Sequence, residues 1–172
     1  MAMAPSSMRS PKRKPVDPVE DELDAFNDRR SEKKTAYLLR QVSERLAISL
    51  TEALRPFNQT ASVYRVLIAL TRRDHARMRD LIELTLIESS TLSRTIGRME
   101  AQGLVTVEQD DDDGRAVMIS ITEAGRDLLD AMLPAVSAQY EWSVHDVPPA
   151  DLEVLRTTLQ RMLRNLKISP IK

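Results

Sequence analysis

The chain has 172 residues, a formal charge of −1 and an apolar share of 42%, enough for one compact domain with a buried core, with or without helical arms. The absence of cysteine excludes a disulfide framework, a thiol redox switch, cysteine nucleophiles and thiolate zinc sites, and the near-zero charge excludes a global basic excess for nucleic acid. Apolar runs fall far short of the roughly 20 residues that span a bilayer and none has the form of a signal peptide, so a soluble cytoplasmic protein without membrane contact is expected.

Residues 1–30 are rich in Pro, Ser and Lys/Arg and then turn acidic (EDELD), the composition of a mobile extension. Its basic cluster, Arg9 to Lys14, reads as a solvated tail, with contact to DNA phosphates as the alternative. From Ser31, Leu39, Val42, Leu46, Leu50 and Ala53 recur at helical spacing until Pro56. A second helix, capped by Thr60, carries Val63, Val66, Leu67 and Leu70. Two short helices follow, Arg77 to Leu84 and Glu88 to Gln102, separated by Thr85, Leu86 and Ile87, with Gly103 as a left-handed stop.

Val105 and Val107, then Val117, Ile119 and Ile121, alternate with polar residues on either side of an Asp113-Gly114 turn signal, which predicts a two-stranded hairpin. Thr122 caps a helix from Glu123 to about Tyr140, which Pro134 should kink rather than end. After Pro148-Pro149 the last helix places Leu152, Leu155, Leu159, Met162 and Leu166 at alternating spacings of three and four. Such a narrow seam suits a partner helix and hence a homodimer, with packing inside one chain as the alternative.

Helix, three-residue turn, helix and two-stranded wing is the order of a winged helix-turn-helix, whose second helix enters the DNA major groove N-terminus first. The fold class is therefore mainly α (α+β), about six helices and a two-stranded wing, with residues 60–122 as the DNA-binding domain and 31–59 with 123–172 as dimerisation helices. In the second helix Ser89, Ser90, Thr91 and Ser93 are small enough for close approach and carry hydroxyls for phosphates or bases, one of them also capping the helix. The helix N-terminus itself favours a phosphate. Arg94 and Arg98 share one face and reach guanine edges or phosphates, while Leu92, Ile96 and Met99 form the buried face.

The chain also resembles the MarR-type, or multiple-antibiotic-resistance, transcriptional regulators over roughly Tyr37 to Leu166. The matching pieces are YRVL at Tyr64 to Leu67, STLSR at Ser90 to Arg94, EAQGLV ending the recognition helix, DGR at Asp113 to Arg115, TEAG from Thr122 and LPAV from Leu133. The resemblance implies that Arg115, at the wing tip, enters the minor groove and that Asp113 orients an arginine nearby; a narrow minor groove concentrates the negative potential that attracts a guanidinium. Two departures stand out. Leu86 occupies a turn position where relatives often carry glycine, which predicts a somewhat different turn geometry, and Val107 replaces an arginine often found two residues after GLV. Seven arginines face ten acids between Arg72 and Arg115, four of the acids being Asp110 to Asp113, so the wing should repel phosphates.

The resemblance further implies a homodimeric repressor on a pseudo-palindromic operator in double-stranded DNA, released by a small organic effector, with aromatic acids or phenols favoured. For an aromatic carboxylate, Arg40 is the cation placed by pattern beside Leu38, Leu39 and Val42, with Tyr37 and Tyr64 completing a pocket. No cofactor or metal is expected, since His75 and His145 are the only histidines and lie far apart in sequence. No catalytic motif is recognisable, and four glycines in the chain leave no Gly-rich phosphate loop, so an enzyme is not expected. The alternative function is a winged-helix protein-interaction module without DNA binding, which the acidic wing favours.

Overall fold

A computed structural model describes residues 31–73, 75–109 and 117–167. The elements run α1 (Ser31–Leu54), a short 3-10 turn (Arg55–Phe57), α2 (Ala61–Thr71), β1 (His75–Arg77), α3 (Met78–Thr85), α4 (Ser89–Ala101), β2 (Val105–Gln109), β3 (Val117–Ile121), α5 (Glu123–Ser143) and α6 (Pro149–Lys167). The chain forms two units that divide between Arg45 and Leu46. In the first, the Tyr37 hydroxyl accepts a hydrogen bond from Gln41 Nε2 at 3.1 Å, and Arg40 pairs with Glu44 at 2.9 Å.

The second unit holds the core. Ala53 and Leu54 at the end of α1 are buried, and Pro56 turns the chain through the 3-10 segment to Asn58, whose φ of 53° is left-handed. Thr60 caps α2 by accepting from the Val63 N–H at 3.4 Å, and the spacing of Val63, Val66, Leu67 and Leu70 puts all four into the interior. They meet Leu81 of α3, Leu92 and Met99 of α4, Ile119 of β3 and Met132 of α5 in one apolar cluster.

The sheet has three strands where the sequence predicts two. β3 is central, paired antiparallel with β2 (Val107 opposite Ile119) and with β1 (Ala76 opposite Ile119). β1 is only three residues long, too short for its alternation to register as a pattern, yet Ala76 is buried between the exposed His75 and the half-buried Arg77. Arg77 thus ends a strand rather than starting a helix. Its N–H donates to Asp80 Oδ2 at 3.2 Å, which caps α3.

The joint between wing and α5 is tight. Thr122 Oγ1 accepts from the Gly125 N–H at 3.0 Å and donates to the Gly103 carbonyl at 2.7 Å. Gly125 sits where a Cβ would lie 2.2 Å from the Leu104 carbonyl oxygen, so no other residue fits without displacement. α5 continues past Pro134 to Ser143, since a proline removes one donor and the flanking turns hold the helix. α6 starts with Pro149 in its first turn, where the missing N–H costs nothing. None of its residues is buried. Along its seam Leu152, Leu159 and Met162 are half-covered, and Leu155 and Leu166 are exposed, Leu166 to 70%.

Candidate nucleic-acid interface

The helix-turn-helix is α3, residues Leu86 to Glu88, and α4. Thr85 pins the turn: its buried hydroxyl donates to the Leu81 carbonyl at 2.6 Å and accepts from the Ile87 N–H at 3.3 Å. Leu86 has φ of 54° and ψ of 29°, and its N–H closes α3 on the Ile82 carbonyl at 2.9 Å. Leucine adopts the left-handed conformation that glycine takes without strain, and its side chain is 84% exposed. Ile87, one residue on, is buried and anchors the turn to the core.

α4 divides cleanly. Leu92, Thr95, Ile96 and Met99 are buried, and Ser89, Ser90, Thr91, Ser93, Arg94, Gly97 and Arg98 are exposed. All the sequence-predicted residues on this helix therefore lie at its surface, and Arg94 and Arg98 stand one turn apart. Arg94 Nε donates to the Ser90 carbonyl at 3.3 Å, which lays the guanidinium stem along the hydroxyl row. Thr95 joins the buried face although its polarity hides it in the sequence pattern. Its hydroxyl is satisfied by the Thr91 carbonyl at 2.8 Å, so it packs as an apolar residue of valine size.

The cap is not a serine, as the sequence suggests, but Glu88. Its carboxylate accepts from the Ser90 N–H at 3.1 Å, from the Thr91 N–H at 3.2 Å, and from the Ser90 hydroxyl. These bonds, the Ser90 hydroxyl first, hold the Glu88 carboxyl below the usual glutamate range. Two amides that would otherwise be open to a phosphate are thereby occupied. Helical spacing alone puts Glu88 inside the helix; the signal for its true place is an acidic residue immediately before a run of hydroxyl residues.

Asp113 and Arg115, like the rest of the acidic run and the Arg9 to Lys14 cluster, lie outside the described residues. Val107 is half-buried and packs against the core, so this position is apolar wall rather than a cation. Of the residues expected to hold an effector, Tyr37 and Arg40 belong to the first unit and Tyr64 to the second. The exposed Arg40 guanidinium lies 5.6 Å from the Tyr37 ring centroid. Tyr64 is half-buried against the core, and burial raises its phenol pKa. Among the described residues no group of three His, Cys, Asp or Glu is placed to hold a metal ion, and no helix is long and apolar enough to cross a membrane. His145 pairs with Asp146 at 2.9 Å and stacks on Trp142.

A three-stranded wing sheet packed behind an exposed, hydroxyl-rich second helix defines a winged helix-turn-helix protein. Residues 59–116 match the model of the MarR family. The chain is 28% identical over 131 residues, 76% of its length and 82% of the relative's, to the transcriptional repressor NicR of Pseudomonas putida. A MarR-family regulator from Silicibacter pomeroyi superposes with a TM-score of 0.72 at 25% identity, covering 91% of this chain and all of that one. BpsR of Bordetella bronchiseptica, a protein whose DNA binding is regulated by 6-hydroxynicotinic acid, superposes with a TM-score of 0.68 at 26% identity over 75% of this chain and 98% of its own. The chain belongs to the MarR family of transcriptional regulators.

Proposed function

We propose that the protein is a cytoplasmic, homodimeric repressor that sets α4 of each subunit into successive major grooves of a pseudo-palindromic operator, about 34 Å apart, and leaves it when a small aromatic carboxylate binds. The observation that carries this reading is the division of α4, with four hydroxyl residues and two arginines on the exposed side of a helix whose opposite side is wholly interior. The incompletely covered seam of α6 supports the dimer, because an apolar row of this length gains most from a second helix. On this reading residues 60–122 read DNA, and residues 31–59 and 123–172 dimerise. Asp113 and Arg115 are assigned to the wing contact by family resemblance, with Arg115 in the minor groove.

The effector class rests on likeness to BpsR and on an arginine flanked by tyrosine on α1. Such an effector acts by favouring a spacing of the two reading helices that no longer matches the grooves. Fluorescence anisotropy with the DNA upstream of the protein's own gene tests the reading. Wild type is expected to prefer that DNA to a random duplex, and Arg94→Ala to lose about 1–3 kcal/mol of that preference. Equal binding of both duplexes by wild type refutes sequence-specific DNA reading and leaves the interaction-module alternative. A panel of aromatic acids, 6-hydroxynicotinic acid included, then tests release; equal responses from wild type and Arg40→Ala remove Arg40 from the effector site.

A further inference from the structure

On the reading above, the tip of α4 meets duplex DNA, and what occupies that tip decides which DNA groups approach it. A bare helix N-terminus with serine hydroxyls is a phosphate site that serves any sequence equally. Here the Ser90 and Thr91 amides and the Ser90 hydroxyl are taken by the carboxylate of Glu88, an exposed residue whose carboxyl these bonds hold in its ionised form. The exposed arginines Arg94 and Arg98 lie one and two turns further along the same helix, beyond the bonds that Glu88 makes.

We propose that Glu88 is a selectivity residue: by filling the amides at the tip of α4 with its own carboxylate, it excludes the DNA backbone from that position. The physical basis is twofold. The donors are already used, and a fixed negative charge repels any phosphate brought to the same place. Backbone attraction common to all duplexes is reduced, while the base contacts of the downstream hydroxyls and arginines are left in place. Loss of the carboxylate should therefore strengthen binding to DNA in general more than binding to the operator.

The test compares wild type, Glu88→Ser and Glu88→Asp. Serine keeps a capping oxygen without charge, and aspartate keeps both cap and charge. Thermal unfolding and far-UV circular dichroism first establish that all three are folded. Binding to a random-sequence duplex is then measured across a salt series, with the DNA upstream of the gene as the second probe. Glu88→Ser is expected to bind the random duplex about tenfold more tightly at low salt, with its log–log salt slope steeper by about one. The ratio of upstream to random affinity should fall, and Glu88→Asp should track wild type. Unchanged random-duplex affinity and slope in Glu88→Ser overturn the inference while leaving the repressor reading intact. Failure of wild type to prefer the upstream DNA overturns the repressor reading, whereas the random-duplex comparison still decides the role of Glu88.

Discussion

Replacing Leu86 by glycine should make the protein more stable, although it deletes a large apolar side chain. The left-handed conformation at φ 54° costs a residue with a Cβ about 1–2 kcal/mol. Glycine relieves that strain but adds roughly 0.5–1 kcal/mol of unfolded-chain entropy. Because the side chain is 84% exposed, little burial is lost, and the expected net gain is about 0.5–1 kcal/mol, equivalent to ~2 °C in Tm for a chain of this size. Leu86→Ala, which keeps the strain, should stay within about 0.5 kcal/mol of wild type. Urea unfolding followed by circular dichroism at one fixed protein concentration measures all three, since the apparent stability of the proposed dimer would move with concentration. A loss of about 1 kcal/mol or more in Leu86→Gly would refute the reasoning, because it would mean that the leucine makes stabilising contacts. Equal gains in Leu86→Gly and Leu86→Ala would show that the relief is not conformational.

Gly125→Ala is expected to destabilise by about 1–3 kcal/mol or more, since its Cβ would press on the Leu104 carbonyl that also accepts from the Thr122 N–H at 3.1 Å; a Tm equal to wild type would contradict this. A pH dependence follows from Glu88. Its carboxyl is lowered in the folded chain by its bonds to Ser90 and Thr91, so its contribution is complete above the ordinary glutamate range and disappears as pH falls through the lowered folded value. The stability difference between wild type and Glu88→Gln should accordingly be present at neutral pH and shrink on acidification, and a difference independent of pH would exclude this linkage.

The larger elements are legible because their signals are periodic and repeated. Thr60 and Thr122 announce helix starts, Gly103 at φ 70° follows the end of α4 as expected, the alternation of Val105, Thr106, Val107 and Glu108 in β2 matches their burial, and Ile119 and Ile121 are the buried residues of β3. What stays hidden is local and depends on partners distant in sequence. β1 exists because β3 offers it an edge, which three residues cannot signal by themselves. Leu86 keeps the left-handed turn because Thr85 and the buried Ile87 hold the backbone on either side of it, so tertiary packing overrides the residue's own preference. On α4 the exposed positions are readable from helical spacing, whereas the cap is not, because a glutamate reaches the same amides that a serine would serve.

The Thr122 hydroxyl, held between the Gly103 carbonyl and the Gly125 N–H, acts as a hinge pin set in a socket with no clearance. Because the first turn of α5 is keyed to the strand that leaves α4, the two cannot slide independently. Any rearrangement that drags α5 will therefore carry the trailing end of α4 with it, as a lever carries its load.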